Sequence, residues 1–139
     1  MKGLEELLGY HFRDPSLLKL ALIHRSRVNE SGLSVLETNE RLEFLGDAAL
    51  GLVVAEFLYE CFPNQLEGDL TKRRAVLVNL NSLAHRAESI RLADFVLTGG
   101  GDLLSGGSSR RTILGRSYEA LLGAIYLDGS ISSVRQVLL

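Results

Sequence analysis

Cysteine and long apolar runs are scarce in this sequence, and their scarcity excludes several classes of protein. A single cysteine, Cys61, rules out an internal disulfide, and we expect it to be a small buried hydrophobe in a reducing, cytoplasmic protein. The most apolar run, from Ala48 to Ala55, is too short to span a bilayer and is closed by Glu56. The first residues also lack the continuous apolar segment of a signal peptide. We therefore expect a cytoplasmic protein with no membrane partner.

An excess of basic charge is also missing, because 15 Lys and Arg residues stand against 17 Asp and Glu residues. The resulting net charge of −2 argues against a protein that holds nucleic acid through its overall charge. Local basic clusters do exist at residues 72–74 and 110–111. Taken singly, each cluster is typical of a solvated charged face.

Aromatic residues make up only 6% of the chain and prolines number two, whereas hydrophobic residues make up 46%. The core must therefore consist mostly of Leu, Val, Ile and Ala. Few prolines and many Leu, Ala, Glu and Arg residues favour helix, and no strand-like alternation interrupts the pattern. At 139 residues the chain is long enough for one domain with a real core. We predict a single all-α domain over residues 1–139.

Capping residues mark the predicted helices. Asp14–Pro15 predicts a helix that runs to about His24, and Thr38 or Asn39 caps a long helix that runs to about Cys61. Further helices are predicted after Asp69, from about Ser82 to Ser89, from Ser108 or Ser109 to Leu127, and after Gly129–Ser130. The glycine-rich stretch 99–107 between two of them is interpreted as a mobile loop, since no P-loop lysine follows it.

Three carboxylates follow one another at steps of three and four residues in the long helix, at Glu40, Glu43 and Asp47. Helical geometry places such positions on one side. The surrounding residues are apolar nearly all round, which predicts a buried helix whose carboxylates need partners. A divalent cation held by oxygen ligands would offset their mutual repulsion. The surplus of apolar residues from Phe44 to Phe57 further predicts a homodimer interface on this helix.

Residues 39–48 resemble the signature helix of the ribonuclease III family, whose endonuclease domains cut double-stranded RNA with a divalent metal. Segments 8–15, 21–26, 67–71, 74–79 and 118–128 resemble other parts of the family in the expected order, although Ile23 stands where Thr is usual. The resemblance implies the helical fold of that endonuclease domain. It also implies a homodimeric endoribonuclease that acts on double-stranded RNA, with Mg²⁺ as the cofactor and Mn²⁺ as the alternative metal.

The resemblance assigns metal binding and catalysis to Glu43, Asp47 and Glu119. A fourth acidic position of the family falls on Arg116. A guanidinium is always protonated, so it would repel a metal ion nearby. It could bridge the carboxylates in place of the metal, or swing out toward RNA phosphate. The expectation is cleavage at full or reduced activity; the alternative is a catalytically silent homodimer that binds RNA or docks within a ribonucleoprotein.

The remaining predicted site residues are peripheral. Glu40 and Glu67 are expected to line the site, although Glu67 is equally explained as a charge that complements a helix N-terminus. A structural role bonded to a nearby loop is expected for His24. On a fold that resembles an RNA nuclease, the basic clusters become candidate phosphate contacts. These RNA-binding candidates are Lys72, Arg73, Arg74, Arg110 and Arg111.

Overall fold

Two 22-residue helices pack against each other at the centre of the structure and carry the acidic segments. The computed structural model describes residues 2–28, 34–100 and 103–139. Within these ranges the chain forms seven α-helices and no strand, so the all-α prediction is confirmed. They are α1 (Lys2–Leu8), α2 (Pro15–Ala21), α3 (Glu40–Cys61), α4 (Glu67–Val78), α5 (Leu80–Ser89), α6 (Gly107–Asp128) and α7 (Ile131–Leu138). Short 3₁₀ segments lie at Arg25–Arg27, Val35–Glu37 and Leu92–Asp94.

The core is aliphatic, as the composition predicted. Helix α6 runs through its middle and is buried on almost every side between residues 113 and 125. Among the described residues, Tyr118 is the one aromatic side chain that is buried. Leucines of α6 and of the segments around it fill this core, and burying each contributes about 2 kcal/mol relative to exposure. Fully covered examples are Leu4, Leu18, Leu22, Leu50, Leu92, Leu114, Leu121 and Leu122.

Two glycines allow α3 and α6 to approach until their backbones touch. A Cβ atom at Gly46 of α3 would overlap the carbonyl oxygen of Glu119, and one at Gly123 of α6 would overlap the carbonyl oxygen of Leu42. Neither position can hold even an alanine without moving a helix. The close crossing sets Asp47, which follows the first glycine, beside the acidic segment of α6.

The far end of α6 is fixed by the segment that joins α1 to α2. The carboxylate of Asp128 accepts hydrogen bonds from the Tyr10 hydroxyl at 2.7 Å and from the backbone N–H groups of Arg13 and Asp14 at 2.9 and 2.8 Å. Burial opposes ionisation, but these donors outweigh it and lower the pKa of Asp128. Burial and the bond to Asp128 raise the pKa of Tyr10 to about 12.

Helix α2 ends at Ala21, three residues before the predicted boundary. The chain leaves the helix because Ile23 forms a single backbone bridge with Leu97, whose carbonyl also accepts the N–H of His24 at 2.9 Å. His24 then caps the next 3₁₀ segment, with Nδ1 accepting from the N–H of Ser26 at 3.2 Å. The structural role predicted for this histidine is confirmed.

The other boundaries follow the predicted capping residues only in part. Asn39 directly precedes α3, but its side chain makes no capping hydrogen bond. Asp69 does not cap α4, because the helix already begins at Glu67 and Asp69 lies in its first turn. Asn79 caps α5 by accepting a hydrogen bond from the N–H of Ser82 at 2.9 Å. Helix α6 begins at Gly107, one residue before its predicted start. The glycine-rich loop before it includes positions 101 and 102, which lie outside the described residues.

Two burial predictions were wrong. Cys61 is exposed, because it lies at the last turn of α3 on the side away from the core. Helix α3 is not buried all round: Phe44 is 83% exposed, Leu52 59% and Tyr59 74%. These apolar residues form an outward row because α6 covers only one side of α3. Among the described residues, none of the helices has the length and apolar character needed to cross a membrane.

Candidate functional site

The acidic residues of α3 and α6 open into one cleft of about 640 Å³. Glu40, Glu43 and Asp47 line it from successive turns of α3, and Arg116 and Glu119 line it from α6. The stripe predicted from the three-and-four spacing therefore exists, and the crossing of the helices adds the residues of α6 to it. Apolar side chains form the rest of the wall: Phe44, Val78, Leu80 and Leu83.

Glu119 is the most deeply buried acid of the cleft, with only 9% of the residue exposed. Burial, a hydrogen bond with Asp47 and the charges of Asp47 and Glu43 raise the pKa of Glu119 to about 8. At neutral pH, Glu119 therefore keeps its proton beside Asp47, and the two residues form a pair of acidic groups. Such a pair is a natural place for a cation.

Arg116 meets the cluster at Glu43. Its Nη1 donates to Oε1 of Glu43 at 3.0 Å, so the structure shows the bridging position rather than the outward one. Burial raises the pKa of Glu43, and the nearby guanidinium offsets only part of that rise. Glu43 is therefore covered and is paired with a cation that the chain itself supplies.

The cleft fits a divalent cation at Asp47 and Glu119. Over residues 2–28, 34–100 and 103–139, no three acidic, His or Cys side chains already converge into a metal-binding group. The proton that the raised pKa leaves on Glu119 is nevertheless the charge that a cation would replace, and both residues supply the oxygen ligands that such ions prefer. Glu43 is the third carboxylate in the cleft, and Arg116 occupies its Oε1.

Of the two site-lining acids, the structure brings only Glu40 to the cleft. Glu40 also borders a smaller adjoining cavity, where Arg25 approaches it to 3.6 Å. Glu67 lies in a different pocket with Tyr59 and accepts the hydroxyl hydrogen of Thr71 at 3.0 Å. Its part in the site stays a prediction.

The basic residues of α4 are exposed, and they differ in the contacts that their side chains make with other residues. Arg73 lies 3.9 Å over the ring of Phe62 and donates to Gln65 at 2.7 Å. Arg74 lines a groove that also contains Asp47, which places its charge near the acidic cleft. Lys72 is exposed on the same helix.

The two basic residues of α6 are unequal candidates for phosphate. Arg110 donates to both carboxylate oxygens of Glu88 at 2.8 and 3.0 Å and to the carbonyl of Leu104 at 2.6 Å. It would have to leave these partners to reach a phosphate. Arg111 is exposed. Binding of a phosphate by Arg111 should therefore cost less free energy than binding by Arg110.

Residue-by-residue interpretation missed two positioning features. Asn39 is buried, and its side-chain amide donates to the carbonyl of Ala21 at 3.0 Å and to the hydroxyl of Ser117 at 3.4 Å. This amide ties the first turn of α3 to α6. Gly46 and Gly123 were the second omission. Glycine in a helix costs about 1 kcal/mol relative to alanine, so its presence in two strongly helical segments was the available signal.

Comparison with known proteins agrees with this geometry. The family model described as "Ribonuclease-III-like" matches residues 14–139. Ribonuclease 3 of Bdellovibrio bacteriovorus is 47% identical over 134 residues, which cover 96% of this chain and 57% of that protein. Ribonuclease 3 of Idiomarina loihiensis is 47% identical over 136 residues, which cover 98% and 56% respectively. The chain thus spans a little more than half the length of these relatives.

A solved structure gives the same result for the fold. The nuclease domain of ribonuclease III from Campylobacter jejuni superposes with a TM-score of 0.87 at 42% identity, covering 98% of this chain and 91% of that one. That structure is described as flexible in a region involved in dimer formation. The family model covers most of the chain, and the acidic helices of the cleft lie within the matched residues. This chain belongs to the ribonuclease III-like family.

Proposed function

We propose that the chain is a metal-dependent endonuclease domain that hydrolyses phosphodiester bonds of double-stranded RNA. The observation that carries the proposal is the pairing of Asp47 with Glu119, whose pKa is raised to about 8, in an open cleft. Mg²⁺ is the proposed cofactor, with Mn²⁺ as a substitute. When bound, the ion supplies an activated water molecule and neutralises charge on the phosphate oxygens.

The chain's own residues have distinct parts in this reaction. Asp47 and Glu119 would hold the ion, and the covered wall around Glu119 limits competing water. Glu43 and Glu40 keep the cleft negative on the α3 side. Arg116 also lines the cleft, so a phosphate group bound there would lie near its positive charge.

We take double-stranded RNA as the substrate because of the family relatives and because of exposed basic side chains on the surface. An A-form helix is bound mainly through its backbone and shape, so scattered basic side chains are sufficient contacts. Lys72, Arg74 and Arg111 are exposed and suited to this role, whereas Arg73 and Arg110 are held by protein groups. With a net charge of −2, the affinity should be low and should fall steeply with salt.

We propose a homodimer, in a cytoplasmic setting, that pairs the exposed row of α3 with the same row of a second copy. Phe44, Leu52 and Tyr59 expose more apolar surface than a monomer normally leaves in one row. Beside Phe44 lies an apolar hollow of about 600 Å³ that could receive a side chain of the partner. Its apolar lining consists of Leu17, Leu20, Leu42, Phe44, Leu45 and Leu127. The Campylobacter structure is described as having a region involved in dimer formation, which supports a dimer for this chain.

Cleavage of a long RNA duplex tests the function. The wild-type chain should cut the duplex with Mg²⁺ and not with EDTA. Asp47→Asn and Glu119→Gln should each abolish cutting, because each removes half of the carboxylate pair. Asp69→Asn, which changes an exposed acid on α4 outside the cleft, is the control and should cut normally. Duplex binding without cleavage by the wild type would instead favour the silent alternative.

A further inference from the structure

Arg116 places a permanent positive charge at the mouth of the acidic cleft. Its Nη1 contacts Oε1 of Glu43 at 3.0 Å, and its side chain lines the same cleft as Asp47 and Glu119. A guanidinium stays protonated at every pH at which a protein is folded. The charge can therefore be removed from the carboxylates only by movement of the side chain.

The two partners of this ion pair are exposed to different extents. The side chain of Glu43 is 21% exposed, whereas that of Arg116 is 60% exposed. Glu43 has lost most of its water and needs a positive partner, but Arg116 can return to solvent at small cost. Among the described residues, Glu43 is the one hydrogen-bond partner that the Arg116 side chain has. One contact therefore keeps Arg116 in place, and competition for Glu43 can release it.

We infer that Arg116 is a tethered counter-ion that competes with a divalent cation for Glu43 and so sets the affinity of the metal site. The inference rests on the proposed function, because it takes Asp47 and Glu119 as the residues that hold the metal. Without metal, Arg116 neutralises Glu43 and stabilises the contact of α3 with α6.

A metal ion that enters the cleft meets two unfavourable effects. The guanidinium repels it, and Oε1 of Glu43 is not free to act as a further oxygen ligand until Arg116 leaves. Both effects weaken binding without blocking the Asp47–Glu119 pair. This chain should consequently need a higher metal concentration than an otherwise identical chain without the arginine.

Calorimetric titration with Mn²⁺, in the absence of any nucleic acid, tests the inference. Arg116→Gln leaves a shorter polar side chain without the charge, and it should bind Mn²⁺ roughly tenfold more tightly than wild type. Arg116→Lys keeps the charge and should stay within about twofold of wild type. Arg111→Gln removes a charge from the same helix but from neither cavity, so it should also stay within about twofold.

A double-mutant cycle with EDTA present gives a second, independent readout. Arg116→Gln should lower the melting temperature when Glu43 is present, and it should change it little in a Glu43→Gln background. Additive changes in melting temperature would contradict the role of Arg116 as the counter-ion of Glu43.

Two titration results would also overturn the inference: equal Mn²⁺ affinities of wild type and Arg116→Gln, or no detectable binding by either. An equal increase in Mn²⁺ affinity in Arg111→Gln would also overturn it, because the increase would then come from the change in net charge. The titration and the double-mutant cycle contain no RNA, so they test this inference and not the nuclease function. The nuclease function is tested separately by the cleavage experiment.

Discussion

Replacing Gly46 with alanine should push apart the two helices that carry the acidic residues. The new Cβ would overlap a backbone carbonyl of α6, which cannot rotate away as a side chain could. Overpacking of this kind costs about 3 kcal/mol, and alanine recovers about 1 kcal/mol through its better helix propensity. We therefore expect a net loss of about 2 kcal/mol, which corresponds to a fall in melting temperature of about 6 °C for a domain of this size.

Gly51→Ala is the matched control, because Gly51 lies in the middle of the same helix and a Cβ there would meet no atom within 4 Å. It should leave stability unchanged or raise it by up to about 1 kcal/mol. Thermal unfolding at several protein concentrations separates these effects from any change in dimerisation. Gly46→Ala should also weaken Mn²⁺ binding, since Asp47 is the next residue. A Gly46→Ala protein as stable as Gly51→Ala would refute the argument from the close crossing.

Three further outcomes follow from the described contacts. Asp128→Asn should destabilise the fold at neutral pH, but because the folded pKa of Asp128 is lowered, the difference from wild type should vanish as pH falls below about 4 in acid-unfolding curves. Without metal, wild-type stability should decline from about pH 4.5 to about pH 8, because the raised pKa makes folded Glu119 hold its proton longer than the unfolded chain does. Glu119→Gln should make that decline shallower, and only the smaller contribution of Glu43 should remain; a decline of unchanged slope in Glu119→Gln would contradict the assignment. Phe44→Glu should convert the proposed dimer into a monomer in sedimentation experiments, while a dimer that persists would move the interface elsewhere.

The sequence predicted the helices and the acidic stripe well because both depend on local periodicity. Spacing alone placed Glu40, Glu43 and Asp47 on one side of a helix, and the capping residue Asp14 gave the start of another helix. Such features require only neighbours along the chain, which any sequence displays directly.

Burial was harder to predict, because it depends on which side of a helix another helix covers. Phe44 and Cys61 were expected to be covered, and both are exposed. The same types of hydrophobic residue pack within one chain and against a second chain. Residue type alone therefore does not separate a core position from an interface position. The sequence also did not determine the partner of Arg116, because a long flexible side chain next to three carboxylates can adopt several conformations.

The bridge between Glu43 and Arg116 joins residues that are 73 positions apart in the chain. Loop closure over that distance must come before any contact at the cleft can form, so the site appears with the tertiary fold and not with its separate helices. During synthesis the first half of the cleft emerges well before α6 has been made. A growing chain therefore carries an incomplete cleft until its second acidic helix is finished, and the Asp47–Glu119 pair is assembled only when the core is.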